Sequence, residues 1–231
     1  MMQDSQMQDS QQYILPLFDN ALYPLDNFIN SPSNQVAYEA INNWPVIWGI
    51  KPYELVLLID GPASSGKTYL TKIWQSLTDA FVITQDLDIL SNELMKRYNA
   101  FIIEDIERLD ERKILHSFNL LNESNKYLLM TTSSSNNNFS LADLSSRINS
   151  ILKLKINPAD DELIKKLIFK YFSDHSIMVN EQVIKYLLIH LPRQCAEIIK
   201  LLAKIIHHAL VHKHAITISL VKTVLSNTSY D

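Results

Sequence analysis

The stretch LVLLIDGPASSGKTYL, residues 55–70, sets the architecture of this chain. The apolar run at residues 55–59 predicts a strand that is buried on both faces, and a helix is expected from Lys67 onward. Between them, GPASSGKT at residues 61–68 matches a phosphate-binding loop in the strand–loop–helix context that it requires. In such a loop, backbone N–H groups and the positive end of the helix converge on phosphate oxygens. The predicted nucleotide site consists of Gly61, Pro62, Ala63, Ser64, Ser65, Gly66, Lys67, Thr68 and Tyr69.

Two side chains of this loop are expected to act on a bound nucleotide. Lys67 should reach the β- and γ-phosphates, and the Thr68 hydroxyl should ligate Mg²⁺. A chance match is expected in roughly one chain in a hundred of this length at average glycine usage. This chain has only three glycines, and two of them fill the fixed positions. We therefore interpret the loop as a site for ADP or ATP with Mg²⁺.

An apolar run that ends in two acids follows further along the chain. The sequence FIIED, residues 101–105, has the layout of a Walker B motif. An acid at a strand end can hold Mg²⁺ through water, and its neighbour can orient the attacking water. By position, Glu104 takes the metal role and Asp105 the water role. The alternative is a solvated loop start, because Glu107 and Asp110 extend the same acidic cluster.

Strand and helix patterns alternate five times, which predicts an α/β fold with a parallel sheet wrapped by helices. After Pro158 only helical spacing recurs. We expect a disordered tail at residues 1–20, a nucleotide-binding α/β domain at 21–157 and a small all-helical domain at 158–231. The expected strands are 55–59, 81–84, 101–103, 127–130 and 151–156, the last a half-exposed edge strand, and the expected helices before Pro158 are 34–44, one from 67, 87–97 and 111–122.

Composition excludes several classes of protein. The chain has 231 residues, of which 47% are hydrophobic and 20% charged, which is a globular composition. We find no apolar run long enough to span a membrane and no signal-peptide pattern. A single cysteine, Cys195, excludes an internal disulfide and a multi-cysteine zinc site, and it fits a reducing cytoplasm. The net charge of −4 argues against a general nucleic-acid coat.

Motifs outside the loop give the chain a resemblance to a known family. LDNFINSPSNQVAYEAINNWP, residues 25–45, resembles the opening of the DnaA-related branch of the AAA+ ATPases. KINPADDELIKKLI, residues 155–168, resembles the entry to that branch's helical lid. Within the branch, the chain is most similar to the Hda-type regulatory inactivators of DnaA, above all to the alphaproteobacterial form. The resemblance covers nearly the whole chain and implies a P-loop core with a five-stranded parallel sheet and an all-α lid, without a DNA-reading helix-turn-helix domain.

The resemblance also implies a binding partner for the tail. QYILPL, residues 12–17, is similar to the Q-x-x-L-P-L peptide by which Hda-type proteins bind the replication sliding clamp. A short apolar peptide anchored by a polar residue can fill a pocket of another protein. From spacing alone, packing on the chain's own sheet is an equal alternative, and the resemblance favours the clamp. The residues that would carry the contact are Gln12, Leu15, Pro16 and Leu17.

LSSRI, residues 144–148, resembles the arginine-finger segment of the same branch, which implies that Arg147 is the finger. A finger reaches from one subunit to the ATP of its neighbour and stabilises charge on the transferring phosphate. The resemblance implies that this neighbour is DnaA itself. The alternative is a surface arginine paired with Asp143, one helical turn earlier.

Three departures from the family pattern weaken the case for hydrolysis by the chain itself. Ser133 stands where the branch usually has an acid after the fourth strand, and Glu104 replaces the usual aspartate. Ala196 stands where an arginine should contact the γ-phosphate, and Arg193, one turn earlier, is either its substitute or a capping or surface arginine. Nucleotide binding remains expected because the phosphate loop is intact.

These features predict a DnaA-like AAA+ regulator of replication initiation in the cytoplasm, associated with the replisome. It would bind ADP or ATP and the sliding clamp, contact DNA only indirectly, and stimulate ATP hydrolysis by DnaA through Arg147. A homo-oligomer is possible, and no membrane contact is expected. The alternatives are a helicase-loader-like ATPase and a nucleotide-binding adaptor without a hydrolytic role.

Overall fold

The computed structural model describes residues 27–84, 90–133 and 139–228. A five-stranded parallel sheet forms its centre, with the strands ordered two, three, four, one, five in chain numbering. This is the predicted α/β class, and the fifth strand lies at an edge as expected. The strands are β1 (Val56–Asp60), β2 (Phe81–Ile83), β3 (Ala100–Ile103), β4 (Tyr127–Thr132) and β5 (Leu152–Lys155).

Helices cover both faces of the sheet and then continue alone. Those of the α/β part are α1 (Gln35–Asn42), α2 (Lys67–Thr78), α3 (Asn92–Arg97), α4 (Glu111–Glu123) and α5 (Ala142–Ser150). The lid consists of α6 (Asp161–Asp174), α7 (Glu181–His190), α8 (Cys195–Val211) and α9 (Ile218–Thr228).

The central strands are mostly apolar because both of their faces are covered. Along β1, Leu57 and Ile59 pack with α1 and α2, whereas Val56 and Leu58 pack with α4 and α5. Consecutive side chains of a strand point to opposite faces, so an uninterrupted apolar run is what a sheet between two helical layers requires. The lid has a separate core, built from its own four helices, to which Ile29 adds a side chain from before α1.

Two details differ from the sequence expectations. Of the helix predicted at 87–97, residues 87–89 lie outside the described residues. Helix α3 begins at Asn92, because the Ser91 hydroxyl accepts from the Leu94 N–H at 3.3 Å and caps it there. Helix α5 was not predicted as a helix. It has only Leu144 and Ile148 as buried residues, with Ser145, Ser146 and Arg147 between them, so its local signal is weak and packing on the sheet stabilises it.

Some predicted features lie outside the described residues. These are the tail at 1–20 with Gln12, Leu15, Pro16 and Leu17, and most of the Ser/Asn tract after Ser133. Within the described part of the chain, no helix has the length and hydropathy needed to cross a membrane.

Candidate functional site

The loop between β1 and α2 has the tight backbone that its glycines predicted. Gly66 takes a φ of 97° and Ser64 one of 60°, a region that favours glycine. At Gly61, a Cβ atom would lie 2.9 Å from the Ile156 Cβ and 2.9 Å from the Ser65 Oγ. The backbone N–H of Gly61 donates to the Thr132 carbonyl at 3.2 Å, which fixes the loop to the end of β4. A side chain at Gly61 would therefore collide with Ile156 and Ser65, whereas at Gly66 the positive φ disfavours any other residue. The first turn of α2 directs its N–H groups into the loop.

Lys67 lies folded over the loop. Its side chain is only 6% exposed, and Nζ donates to the carbonyls of Gly61 at 2.8 Å and Pro62 at 2.9 Å. Burial lowers the pKa of Lys67 from its ordinary value of 10.5, and the nearby charges of Asp105, Glu107 and Asp60 oppose this without cancelling it. The ammonium group is therefore held beside the loop by backbone carbonyls and by acids from the ends of β1 and β3.

Glu104 lies beside the first turns of α2. Its Oε1 accepts from the Thr71 hydroxyl at 2.6 Å, and Thr71 also contacts the carbonyl of Thr68 at 3.0 Å. The structure thus brings Glu104 and Thr68, the two residues predicted to hold Mg²⁺, to the same corner of the site. Hydroxyl and carboxylate oxygens are ligands that suit this ion. Thr71 was not identified from the sequence, because a threonine inside a helix carries no local signal of such a contact.

Asp105 and Glu107, which follow β3, are held by hydrogen bonds to residues at the end of the neighbouring strand β4. The N–H of Asp105 donates to the Thr131 hydroxyl at 2.9 Å, and its carboxylate lies 3.6 Å from the exposed Arg108. Glu107 Oε1 accepts from the Ser133 N–H at 3.0 Å, and its buried Oε2 has no hydrogen-bond partner among the described residues. Glu107 was expected only as a member of the acidic cluster, yet its charge reaches Lys67.

Three aromatic rings form a wall next to the loop. Phe28 stacks on Tyr38 with ring centroids 5.3 Å apart, and it contacts Tyr69 at 5.4 Å. A Cβ atom at Gly66 would lie 3.4 Å from the ring of Phe28. The segment before α1 therefore covers the same end of the loop that α2 begins from, a contact that no local pattern in the sequence indicates.

Arg147 contacts one residue of its own helix and two that lie far away along the chain. On α5, its guanidinium contacts the Asp143 carboxylate at 3.2 Å and the Tyr53 hydroxyl at 3.3 Å, and it lies 6.0 Å from the ring centroid of Phe118. The contact with Asp143 is the one expected of the surface-arginine alternative. Burial disfavours the charged form, but Asp143 and Tyr53 outweigh it and raise the pKa of Arg147 above its ordinary value.

Arg193, in the lid, is engaged in contacts at the protein surface. Arg193 forms an ion pair with Asp161 at the start of α6, and its carbonyl accepts from the Ala159 N–H at 3.4 Å. These contacts favour the capping or surface interpretation of Arg193. Ala196, on the first turn of α8, brings no charge to the site.

Solved structures with this fold include a replication initiation protein and a Holliday junction branch migration motor. Domain III of the Thermotoga maritima replication initiation protein DnaA matches with a TM-score of 0.71 at 19% identity, over 89% of this chain and 96% of that one. AMPPCP-bound DnaA from Aquifex aeolicus matches with a TM-score of 0.62 at 22% identity, over 78% and 63%. The Thermotoga maritima RuvB Holliday junction branch migration motor matches at 0.60 and 17%, over 78% and 63%. The fold is that of a P-loop AAA+ protein with a helical lid.

A family model narrows this class. Residues 161–225, which span α6 to most of α9, match the model described as Hda, lid domain. A comparison with curated proteins gives no match. The lid helices are therefore similar to the lid domain of Hda, and the fold of the chain is similar to that of DnaA domain III.

Proposed function

We propose that this chain is a nucleotide-dependent regulator of replication initiation, which is tethered to the sliding clamp and promotes ATP hydrolysis by DnaA. The lid match and the DnaA-like fold support the class of regulator. The position of Arg147 is the single observation that carries the mechanism.

The position of Arg147 supports a role toward a neighbouring subunit. It contacts Tyr53, which precedes β1, whereas the phosphate loop follows β1. A parallel strand separates these two segments, so the guanidinium lies toward the opposite end of the sheet from its own loop. Only 26% of the side chain is exposed, and the buried Nε has no hydrogen-bond partner among the described residues. We infer that Arg147 leaves Asp143 and Tyr53 on assembly and stabilises negative charge on the γ-phosphate of ATP bound to DnaA.

The chain's own site is proposed to bind ADP or ATP. The loop N–H groups and Lys67 would bind the phosphates, and the rings of Phe28, Tyr38 and Tyr69 offer an apolar wall beside them for the base. Thr68 and Glu104 would hold Mg²⁺, which supplies charge neutralisation on the phosphates. The pairing of Asp105 with Arg108 and of Arg193 with Asp161 supports weak hydrolysis at this site.

The tail is proposed to bind the sliding clamp through Gln12, Leu15, Pro16 and Leu17. Tethering raises the effective concentration of the regulator where clamps are loaded on DNA, so the reaction would follow replication. A pull-down of clamp by the native chain and by Gln12→Ala/Leu15→Ala tests this step. Loss of binding in the variant is expected, and an unchanged yield contradicts the tether.

The finger is tested by measuring DnaA-bound ATP after mixing with the chain and clamp-loaded DNA. The native chain should accelerate the loss of ATP. Arg147→Ala should remove the acceleration, because an arginine finger in general contributes about 10³-fold or more to the rate of hydrolysis. The variant should keep clamp binding. Arg112→Ala, an exposed arginine on α4, is the matched control. Equal acceleration by Arg147→Ala and the native chain would contradict the finger, and no acceleration by the native chain would leave the adaptor alternative.

A further inference from the structure

An apolar groove lies in the lid between the C-terminal end of α6 and the start of α7. Its volume is about 390 Å³, which is within the range of ligand-binding pockets. Phe172 and Ile184 form a buried floor, whereas Phe169 is 49% and Met178 99% exposed. An exposed aromatic ring and an exposed thioether above an apolar floor are typical of a surface that binds another segment.

The first described residues of the chain run along the side of α6 toward this groove. Lys166 Nζ donates to the Asn30 carbonyl at 2.9 Å, and Lys170 Nζ, one turn further along α6, donates to the Asn27 side chain at 3.2 Å. Moving back along the chain from Asn30 to Asn27 therefore leads toward the C-terminal end of α6. Ile29 packs against the lid core between these two contacts.

The sequence that precedes Asn27 contains a segment that fits such a groove. Residues 13–18 read YILPLF, six apolar residues without a charge. Residues 19–26 connect them to Asn27, and eight residues can span up to about 26 Å. Along α6, the four residues that follow Lys170, up to the end of the helix at Asp174, cover only about 6 Å. The apolar segment can therefore reach the groove of its own lid.

We propose that residues 13–18 bind in this groove of the same chain. Pro16 fixes an extended backbone and removes one N–H donor, so the segment can insert its side chains without pairing as a strand. Docking within one chain has the advantage of a high effective concentration over docking by a second copy.

Binding in the groove would control access to the tail. The same Leu15 and Leu17 are proposed to enter the sliding clamp, so the lid and the clamp compete for one peptide. The apparent affinity for the clamp is then reduced by the fraction of chains whose tail is free. This second step rests on the proposed clamp function, whereas docking in the groove does not.

A cysteine pair tests the docking directly. Ile14→Cys is combined with Met178→Cys in full-length chain that also carries Cys195→Ser, and mild oxidation should give a disulfide within the monomer. Ile14→Cys with Glu123→Cys is the matched control, because Glu123 is an exposed residue at the end of α4. An equal yield in the control, no disulfide, or a disulfide only between two chains would overturn the proposal.

Clamp affinity tests the competition. Phe169→Ser should raise the affinity of the full chain for the sliding clamp about threefold or more, and Phe169→Leu should resemble the native chain. Ile189→Ser, which alters a 77% exposed residue outside the groove, should have no effect. An unchanged affinity in Phe169→Ser overturns the competition. If no variant and no native chain binds the clamp, the clamp proposal fails, and the disulfide yield alone decides the docking.

Discussion

Asp160, at the start of the lid, accepts a hydrogen bond at 2.9 Å from the backbone N–H of Ser33, which lies 127 residues earlier in the chain. The other oxygen of the carboxylate caps α6 by accepting from the Leu163 N–H at 2.7 Å. The Ser33 carbonyl in turn accepts from the Asn157 N–H at 2.9 Å. One carboxylate therefore ties the turn before α1 to the first turn of the lid.

Replacing Asp160 by alanine should destabilise the protein. The change removes a helix cap and leaves the Ser33 N–H without its acceptor, so we expect the free energy of unfolding to fall by about 1–3 kcal/mol. Urea denaturation of both proteins measures this. Asp161→Ala is the matched control, because Asp161 is 75% exposed and its ion pair with Arg193 should contribute less than about 1 kcal/mol. Equal losses in the two variants would contradict the role of Asp160.

The pH dependence of the same pair of proteins gives a second measurement. Burial alone would raise the pKa of Asp160, but hydrogen bonds from Leu163, Ser31 and Ser33 outweigh it and hold the pKa below the ordinary value of 3.8. The stabilisation by the carboxylate is therefore complete above 3.8 and is lost as the pH falls through the lower folded-state value. The stability difference between native chain and Asp160→Ala should be constant above about pH 5 and should shrink in acid.

Replacing Lys67 by methionine should abolish nucleotide binding. The ammonium group is held beside the loop by the carbonyls of Gly61 and Pro62, and methionine keeps the length of the side chain without the charge. We expect ADP or ATP with Mg²⁺ to raise the melting temperature of the native chain and not that of the variant. Lys72→Met, on the same helix, serves as the control and should keep the thermal shift.

The lowered pKa of Lys67 also predicts in which direction the stability of the fold changes with pH. Between its folded-state value and 10.5, the unfolded chain holds the proton that the folded chain has released, so folding is favoured as the pH rises. Relative to Lys67→Met, the native chain should gain stability on approaching pH 10.5, by at most about 1.4 kcal/mol per pH unit. A difference that falls with pH would contradict this.

Replacing Gly61 by alanine should distort the loop. The new Cβ would lie 2.9 Å from Ile156 and 2.9 Å from Ser65, so the backbone of the loop must shift. Overpacking of this kind typically costs about 1–3 kcal/mol. Ser64→Gly tests the opposite case, because Ser64 already has a φ of 60° and glycine relieves that strain at little cost. Thermal unfolding and nucleotide titration should both separate the two variants, and similar behaviour would contradict the assignment.

Replacing Thr71 by valine should weaken the dependence of nucleotide binding on Mg²⁺. The variant keeps the shape of the side chain and removes the hydroxyl that donates to Glu104 at 2.6 Å, so the carboxylate is no longer held beside Thr68. Nucleotide affinity measured with Mg²⁺ and with chelator should differ less in the variant than in the native chain. Thr223→Val, at an exposed threonine of α9, should behave as the native chain, and an undiminished Mg²⁺ effect in Thr71→Val would contradict the prediction.

Local patterns were sufficient to predict most of the helices and strands of this protein. The residues of β1 and the loop that follows it lie next to one another in the chain, so their spacing reports the strand, the turn and the helix directly. The edge position of β5 followed from the alternation of apolar residues with Lys153 and Lys155. Helix α5 escaped prediction because the stability of a short, serine-rich helix comes from the surface that it packs against.

The sequence by itself determined the phosphate loop, the buried strands and the all-helical lid, because each of these depends on residues that are neighbours in the chain. Only the tertiary structure decided that Asp160 binds Ser33, that Glu107 binds Ser133, that Phe28 covers Gly66 and that Arg147 contacts Tyr53. Each of these contacts joins residues separated by long stretches of chain. Local periodicity in the sequence does not predict the strand order that brings them together. The path of the chain from Asn30 to Asn27 along α6 was likewise decided by the tertiary structure, since it exists only once the lid has packed against the segment before α1.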